Sequence, residues 1–132
     1  MISFYRGFSL VELMIVITIV AILSLIAYPS YQQYLLTTHR VEAKKMLLDV
    51  ANRQESYFMD FSQYASSATA LSVNALSESG FYQLSVSAAG NTFTLSATAV
   101  GNQASDLDCT RLSINETGVK SASGAASSRC WD

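Results

Sequence analysis

A catalytic reading has little to start from in this chain. Its 132 residues include one histidine, His39, and two cysteines, Cys109 and Cys130. A protein zinc site needs three or four nitrogen, sulfur or carboxylate ligands brought together. The cysteines stand 21 positions apart, which is not the spacing of a CxxC redox pair. No nucleophile is paired with a base, no glycine-rich loop could cradle a phosphate, and no ligand cluster is visible. The sequence therefore describes no enzyme and implies no metal, no cofactor and no small-molecule substrate. An excess of positive charge is missing as well. Eight Lys and Arg against ten Asp and Glu leave a net charge of -2 and a pI near 5.2, which argues against broad electrostatic capture of nucleic acid. Partners are expected to be recognised by shape and packing.

Charge is also absent from one long run. After Glu12 the next formal charge is Arg40, and "GFSLVELMIVITIVAILSLIAYPSY" is polar only at a few hydroxyls and Glu12 before Tyr28. Phe8 to Tyr28 makes about 31 Å of helix at roughly 1.5 Å per residue, matching a hydrocarbon layer of about 30 Å. Thr18 and Ser24 can bond back to helix carbonyls. Glu12 is different, because a carboxylate in a span costs a few kcal/mol on insertion scales and marks function. A cleaved secretory signal with its apolar region over Leu13 to Ala27 would want a small residue in place of Leu25. An uncleaved anchor explains the length and leaves Glu12 unexplained. The charges flanking the run, Arg6 before it and Arg40, Lys44 and Lys45 well after it, lean towards an N-terminus facing the cytoplasm. An exported domain with an even cysteine count suggests a disulfide between Cys109 and Cys130.

"RGFSLVELMIVITIVAILSLIAYPSY" resembles the N-terminus of type IV prepilins: a short leader ending in Gly, then Phe, Glu four residues later, an apolar helix and a proline near its end. "RVEAKKMLLDVANRQESYF" and "CTRLSINETGVK…CW" are similar to the PilE-type minor pilins. Such leaders often carry more than one Lys or Arg, whereas this one has only Arg6. The resemblance implies a leader over 1–7, cleavage by a prepilin peptidase between Gly7 and Phe8, and N-methylation of Phe8. It implies an assembly helix over 8–29 and a globular domain over 30–132, periplasmic and then extracellular. Glu12 would neutralise the free amine of Phe8, its own or a neighbouring subunit's. A charged pair in an apolar bundle is tolerable where a lone carboxylate is not. Pro29 lacks the N–H that would bond the Leu25 carbonyl, so it permits a kink or ends the span.

Beyond Pro29 the helical pattern resumes with Leu36, Ala43, Met46, Leu47, Val50, Tyr57, Phe58 and Phe61 on one face. Asp49 and Arg53 lie one turn apart on the solvated face. Gln54 falls inside the apolar stripe and is expected to bond loop backbone. His39 reads as a solvated side chain, and Tyr31 and Tyr34 as interfacial or subunit-packing residues. Residues 62–80 read as a connecting loop with one short helical turn. Strands are expected over 81–88, 92–100 and 109–115, with Ala89-Gly90-Asn91 as a hairpin turn and "NETG" at 115–118 as another. The fold class is α+β: a long N-terminal helix packed on a small antiparallel sheet, the type IV pilin fold.

The function expected from the resemblance is that of a structural subunit of a type IV pilus, a minor pilin assembled with other pilin subunits through its N-terminal helix and acting in biogenesis, adhesion or twitching motility. It would sit in the inner membrane before assembly and in an extracellular pilus afterwards. Two alternatives share the motif or the class: a pseudopilin of type II secretion, and a DNA-binding subunit of a competence pilus using Arg111, Lys120 and Arg129 with Trp131. Nucleic acid is the less expected partner on these three cations. A monomeric membrane-anchored periplasmic module gives Glu12 no task.

Overall fold

The computed structural model describes residues 7–132. Residues 1–6, which carry most of the expected leader and its Arg6, lie outside the described residues. A 52-residue helix, α1, covers Leu10–Phe61 and includes Pro29 within it. It is followed by β1 (Tyr82–Ala89), β2 (Thr92–Ala99), β3 (Arg111–Asn115) and β4 (Lys120–Ser123), with short 3-10 turns at Gly101–Ser105 and Ser127–Arg129. The chain divides into two compact units, the first ending at Leu35 and the second running Leu36–Asp132.

In the first unit the described chain is helix from Leu10 onward. Ser9 begins it: its hydroxyl accepts the Glu12 amide at 3.1 Å, the N-cap bond that satisfies an otherwise orphaned helix donor. Thr18 and Ser24 donate to the Met14 and Val20 carbonyls, both at 2.7 Å, as expected of hydroxyls with no other acceptor in an apolar run.

The second unit is an antiparallel sheet in the order β1-β2-β3-β4 with the C-terminal part of α1 on one face. Period-2 alternation puts Tyr82, Leu84, Phe93, Leu95, Ala97, Leu112 and Ile114 inside, where they meet Ala43, Leu47 and Val50 of α1. Pairing Tyr82↔Ala99 through Ala89↔Thr92 leaves a two-residue turn, with Gly90 at φ +62°, the positive φ that a type II′ hairpin requires at its first position. The outer face is a set of rows of small polar residues: Gln83–Thr98–Arg111–Ser123 and Ser85–Ser96–Ser113–Ser121. Arg111 is the one charge in these two rows.

The stripe on α1 is shorter than expected. Phe61 is exposed, while Gln54 is fully buried and exchanges two 2.8 Å bonds with the Ala65 backbone. That pair anchors the start of the 62–80 loop, as the expected loop-backbone bond would. The loop itself is a chain of turns, with Leu76 bridging to Gln83 at the edge of β1.

His39 departs from expectation. It is half-buried, its ring stacked on Phe81 with centroids 3.9 Å apart, and its Nδ1 donates to Gln103 Oε1 at 2.9 Å. The flanking Phe and the buried amide, both remote in sequence, are what a local reading of one polar residue could not supply. Gln103 also shares its Nε2 among the Leu36 carbonyl, the Tyr82 hydroxyl and Asp106. Beside it Arg40 makes a two-pronged pair with Asp106, both bonds 2.7 Å, and Asp106 is only 1% exposed. The hydrogen bond to Asp106 raises the Arg40 guanidinium above its ordinary value, against the opposing effect of burial. Burial pushes the Tyr82 phenol up to about 12, partly offset by the Gln103 bond.

β4 was not expected. Its sequence KSAS has no apolar alternation, but the "NETG" turn supplies the hairpin: Asn115 Oδ1 accepts the Thr117 and Val119 amides, and Gly118 takes φ +76°. At the far end Gly124 (φ +135°) passes so close to the Asp108 carbonyl that a Cβ would lie 2.2 Å from its oxygen.

Removing one partner of a buried, hydrogen-bonded ion pair costs about 3–5 kcal/mol because the other charge stays buried. Arg40→Ala is expected to lower domain stability by about that amount in denaturant unfolding. The double change Arg40→Leu with Asp106→Leu is expected to cost less than Arg40→Ala alone.

Candidate functional sites

Three surfaces carry the residues singled out by the sequence: the apolar helix, the C-terminal loop and the cations around it. On the helix, Phe8 is 78% exposed and Leu25 77%, and the large apolar side chains of Leu10 to Ile26 are all exposed. The most apolar 18-residue window has a mean hydropathy of 2.8 with none of it buried. An apolar surface of this extent requires a cover, lipid or protein. Glu12 stands in the first turn of α1, where a carboxylate faces the positive end of the helix dipole. Ser9-Leu10-Val11-Glu12 is also the S-x-x-E spacing of a capping box. That role of Glu12 was legible in the spacing and adds to its cost-bearing position in the apolar run. Gly7 and Phe8 precede the helix outside any helix or strand, and Pro29 lies within it.

The C-terminal loop is tied down at three points. Cys109 and Cys130 are joined by a disulfide and both fully buried. Trp131 Nε1 donates to the Ser121 carbonyl at 2.8 Å, and Lys44 Nζ on α1 donates to the Asp132 carbonyl. The Cys109 amide donates to Asp106 Oδ1, so the bridge and the buried ion pair share one carboxylate.

The three cations are not gathered into one patch. Lys120 Nζ sits 5.2 Å from the centroid of the Trp131 ring, a cation–π distance, and Arg129 is close by in sequence in the turn before Cys130. Arg111 points to the opposite face of the sheet, where its Nε donates to Thr98 Oγ1. The ring face that a base would stack on is thus shared with Lys120. Of the remaining cations, Arg40 is buried with Asp106 and Arg53 pairs with Asp49 at 3.0 Å. Among the described residues no three of His, Cys, Asp and Glu converge on a metal-sized site. A shallow groove of about 550 Å³ runs between α1 and the loop, floored by Met46, Val50, Val73 and Leu76.

Residues 2–28 match the family model described as the prokaryotic N-terminal methylation motif. Residues 29–113 match the model described as type IV minor pilin ComP, DNA uptake sequence receptor. The chain belongs to the ComP family of type IV minor pilins. This pilin is 39% identical over 64 residues to a fimbrial protein of Pseudomonas aeruginosa, covering 48% of the chain and 42% of that protein. It is 36% identical over 95 residues to fimbrial protein EcpC of Eikenella corrodens, covering 70% and 61%. It spans about half the length of these curated relatives. A type IV pilin structure from Shewanella oneidensis aligns with a TM-score of 0.55 at 23% identity, over 74% of this chain and 98% of that one, which shows the shared fold. Lys120, Arg129, Cys130 and Trp131 lie beyond the ComP match.

Closing a loop of about 20 residues stabilises a domain by roughly 3 kcal/mol in the chain-entropy account. Cys109→Ser is expected to lower the melting temperature of this pilin and to shift the emission of Trp131, its only tryptophan, to longer wavelength as the tail leaves the sheet.

Proposed function

We propose that this chain is a minor subunit of a type IV pilus, non-catalytic, cleaved by a prepilin peptidase between Gly7 and Phe8 and methylated on the Phe8 nitrogen. The observation that carries the reading is the bare apolar helix joined to a disulfide-closed pilin domain. The helix spans the inner membrane in the precursor, and in the filament it is covered by the helices of other pilin subunits. Glu12 supplies register in that bundle: it pairs with the Phe8 amine of its own chain or of a neighbour, as a single buried polar residue fixes register in a coiled coil. The domain is displayed outside the cell, where the pilus acts.

A second reading is favoured by the description of the matched ComP model: the displayed domain receives DNA. Arg111, Lys120 and Arg129 are exposed, and three phosphate contacts make a weak, salt-dependent site, with log affinity falling by roughly 2.7 per decade of salt at 0.9 per contact.

Glu12→Gln keeps the size and the helix-start preference of the side chain and removes its charge; Glu12→Ala removes both. Both variants are expected to insert in the membrane normally and to be depleted from sheared filaments, measured by immunoblot against total pilin. Wild-type levels of Glu12→Gln in filaments would show that charge is not the docking element. For DNA, the detergent-solubilised full chain is expected to retard duplex at low salt and to lose most binding at physiological salt. Lys120→Ala with Arg129→Ala should flatten the salt dependence, and an unchanged slope removes these cations from the DNA reading.

A further inference from the structure

The apolar run ends in an uncharged polar band, Tyr28-Pro29-Ser30-Tyr31-Gln32-Gln33-Tyr34. Its three tyrosines are 67%, 59% and 66% exposed. At helical rise the band is about 9 Å deep, close to the interfacial layer of roughly 5–8 Å on each side of a bilayer's hydrocarbon core. Tyr and Trp concentrate in that layer because the ring is apolar and the hydroxyl is wet. The band is built to present the rings. Ser24, Ala27 and Ser30 lie among them as small side chains, leaving a shallow depression bounded by Tyr28, Tyr31 and Tyr34. Gln32 Nε2 donates to the Tyr28 hydroxyl at 3.0 Å. The first charge past the band, Arg40, is buried in the domain against Asp106.

The geometry points to a tyrosine collar, Tyr28, Tyr31 and Tyr34, that seats the precursor helix in the lipid headgroup layer on the domain side of the membrane and so sets the depth of Glu12. Counting back 16 residues from Tyr28, the inner edge of the collar, at roughly 1.5 Å each places Glu12 about 24 Å into a hydrocarbon layer of about 30 Å. The carboxylate then stands about one helical turn short of the opposite interface, and Phe8 lies at that interface. A charge towards the end of the layer costs less than one at its centre, which is how a chain with Glu12 in its span inserts. The filament instead withdraws the carboxylate from the neighbourhood of that interface, which is when pairing becomes necessary. The occupant of the collar in the precursor is lipid, because the band is continuous with the bare apolar run and carries no charge to complement a protein partner. The inference rests on the membrane stage of the proposed function.

The test uses the full chain with Trp131→Phe, reconstituted at high lipid-to-protein ratio in phosphatidylethanolamine/phosphatidylglycerol vesicles. Single tryptophans replace Tyr31, Ile19 or Leu10, and quenching is compared for lipids brominated near the headgroup and near the chain end. Tyr31→Trp and Leu10→Trp are expected to be quenched best by shallow bromine and Ile19→Trp by deep bromine. In the background Tyr28→Ala with Tyr34→Ala and Tyr31→Ala, Leu10→Trp is expected to move to a different depth; Tyr→Phe at the same three positions should move it less. An unmoved Leu10→Trp, or a Tyr31→Trp quenched by aqueous iodide like a soluble tryptophan, overturns the collar. Failure of Ile19→Trp to meet deep bromine overturns the membrane stage itself, and loss of the chain from filaments with these depths intact overturns only the pilus reading.

Discussion

The buried pair of Arg40 and Asp106 is the constraint on which the pilin domain depends. A carboxylate only 1% exposed is intolerable unless a cation and further donors meet it, and here Arg40 comes from α1 while Gln103 and the Cys109 amide come from the segment between β2 and β3. Satisfying that one group fixes which turn of the helix faces which loop. Tyr82, fully buried with its hydroxyl on Gln103, is drawn into the same set, so the first sheet strand is indexed against the helix too. Apolar burial alone would tolerate several sliding registers of Ala43, Leu47 and Val50 over the sheet; a geometrically demanding polar set admits one.

Much of this was legible in the sequence, and the parts that were not share a cause. Helix, three strands, the Gly90 turn, the Gln54 loop bond and the cysteine pair all carry local signals: period, turn chemistry or a polar residue in an apolar stripe. The network at His39, Arg40, Gln103 and Asp106 carries none, since its two halves are over sixty positions apart and each residue reads locally as a solvated one. β4 escaped for a different reason. Its strand character comes from pairing and from the turn that delivers it, while its own composition is that of a loop. Phe61, read as core, is exposed, and its ring lies against Tyr57 of its own helix.

The candidate sites follow the same division. The S-x-x-E start of α1 and the apolar run are visible residue by residue, and the family match confirms the type of chain they belong to. The distribution of cations is a property of the folded sheet. Alternation sends Arg111 to the outer face and Lys120 to the inner one, so three charges close together in the C-terminal sequence become separate in space. Any contact with a polyanion must therefore use an edge of the domain and not one continuous basic patch.

The shortage of apolar residues in β4 also bears on how the last edge of the sheet is protected. A strand reading KSAS has little apolar surface of its own to bind it to Arg111–Asn115, and it is held instead by the ladder, by the Asn115 turn, by the Trp131 bond to Ser121 and by the disulfide that closes the segment after it. Each of these ties also keeps β3 covered. A β3 stripped of its neighbour would present an open edge, the kind that recruits stray strands. The C-terminal loop is in that sense an edge guard for a sheet whose outermost strand cannot guard itself.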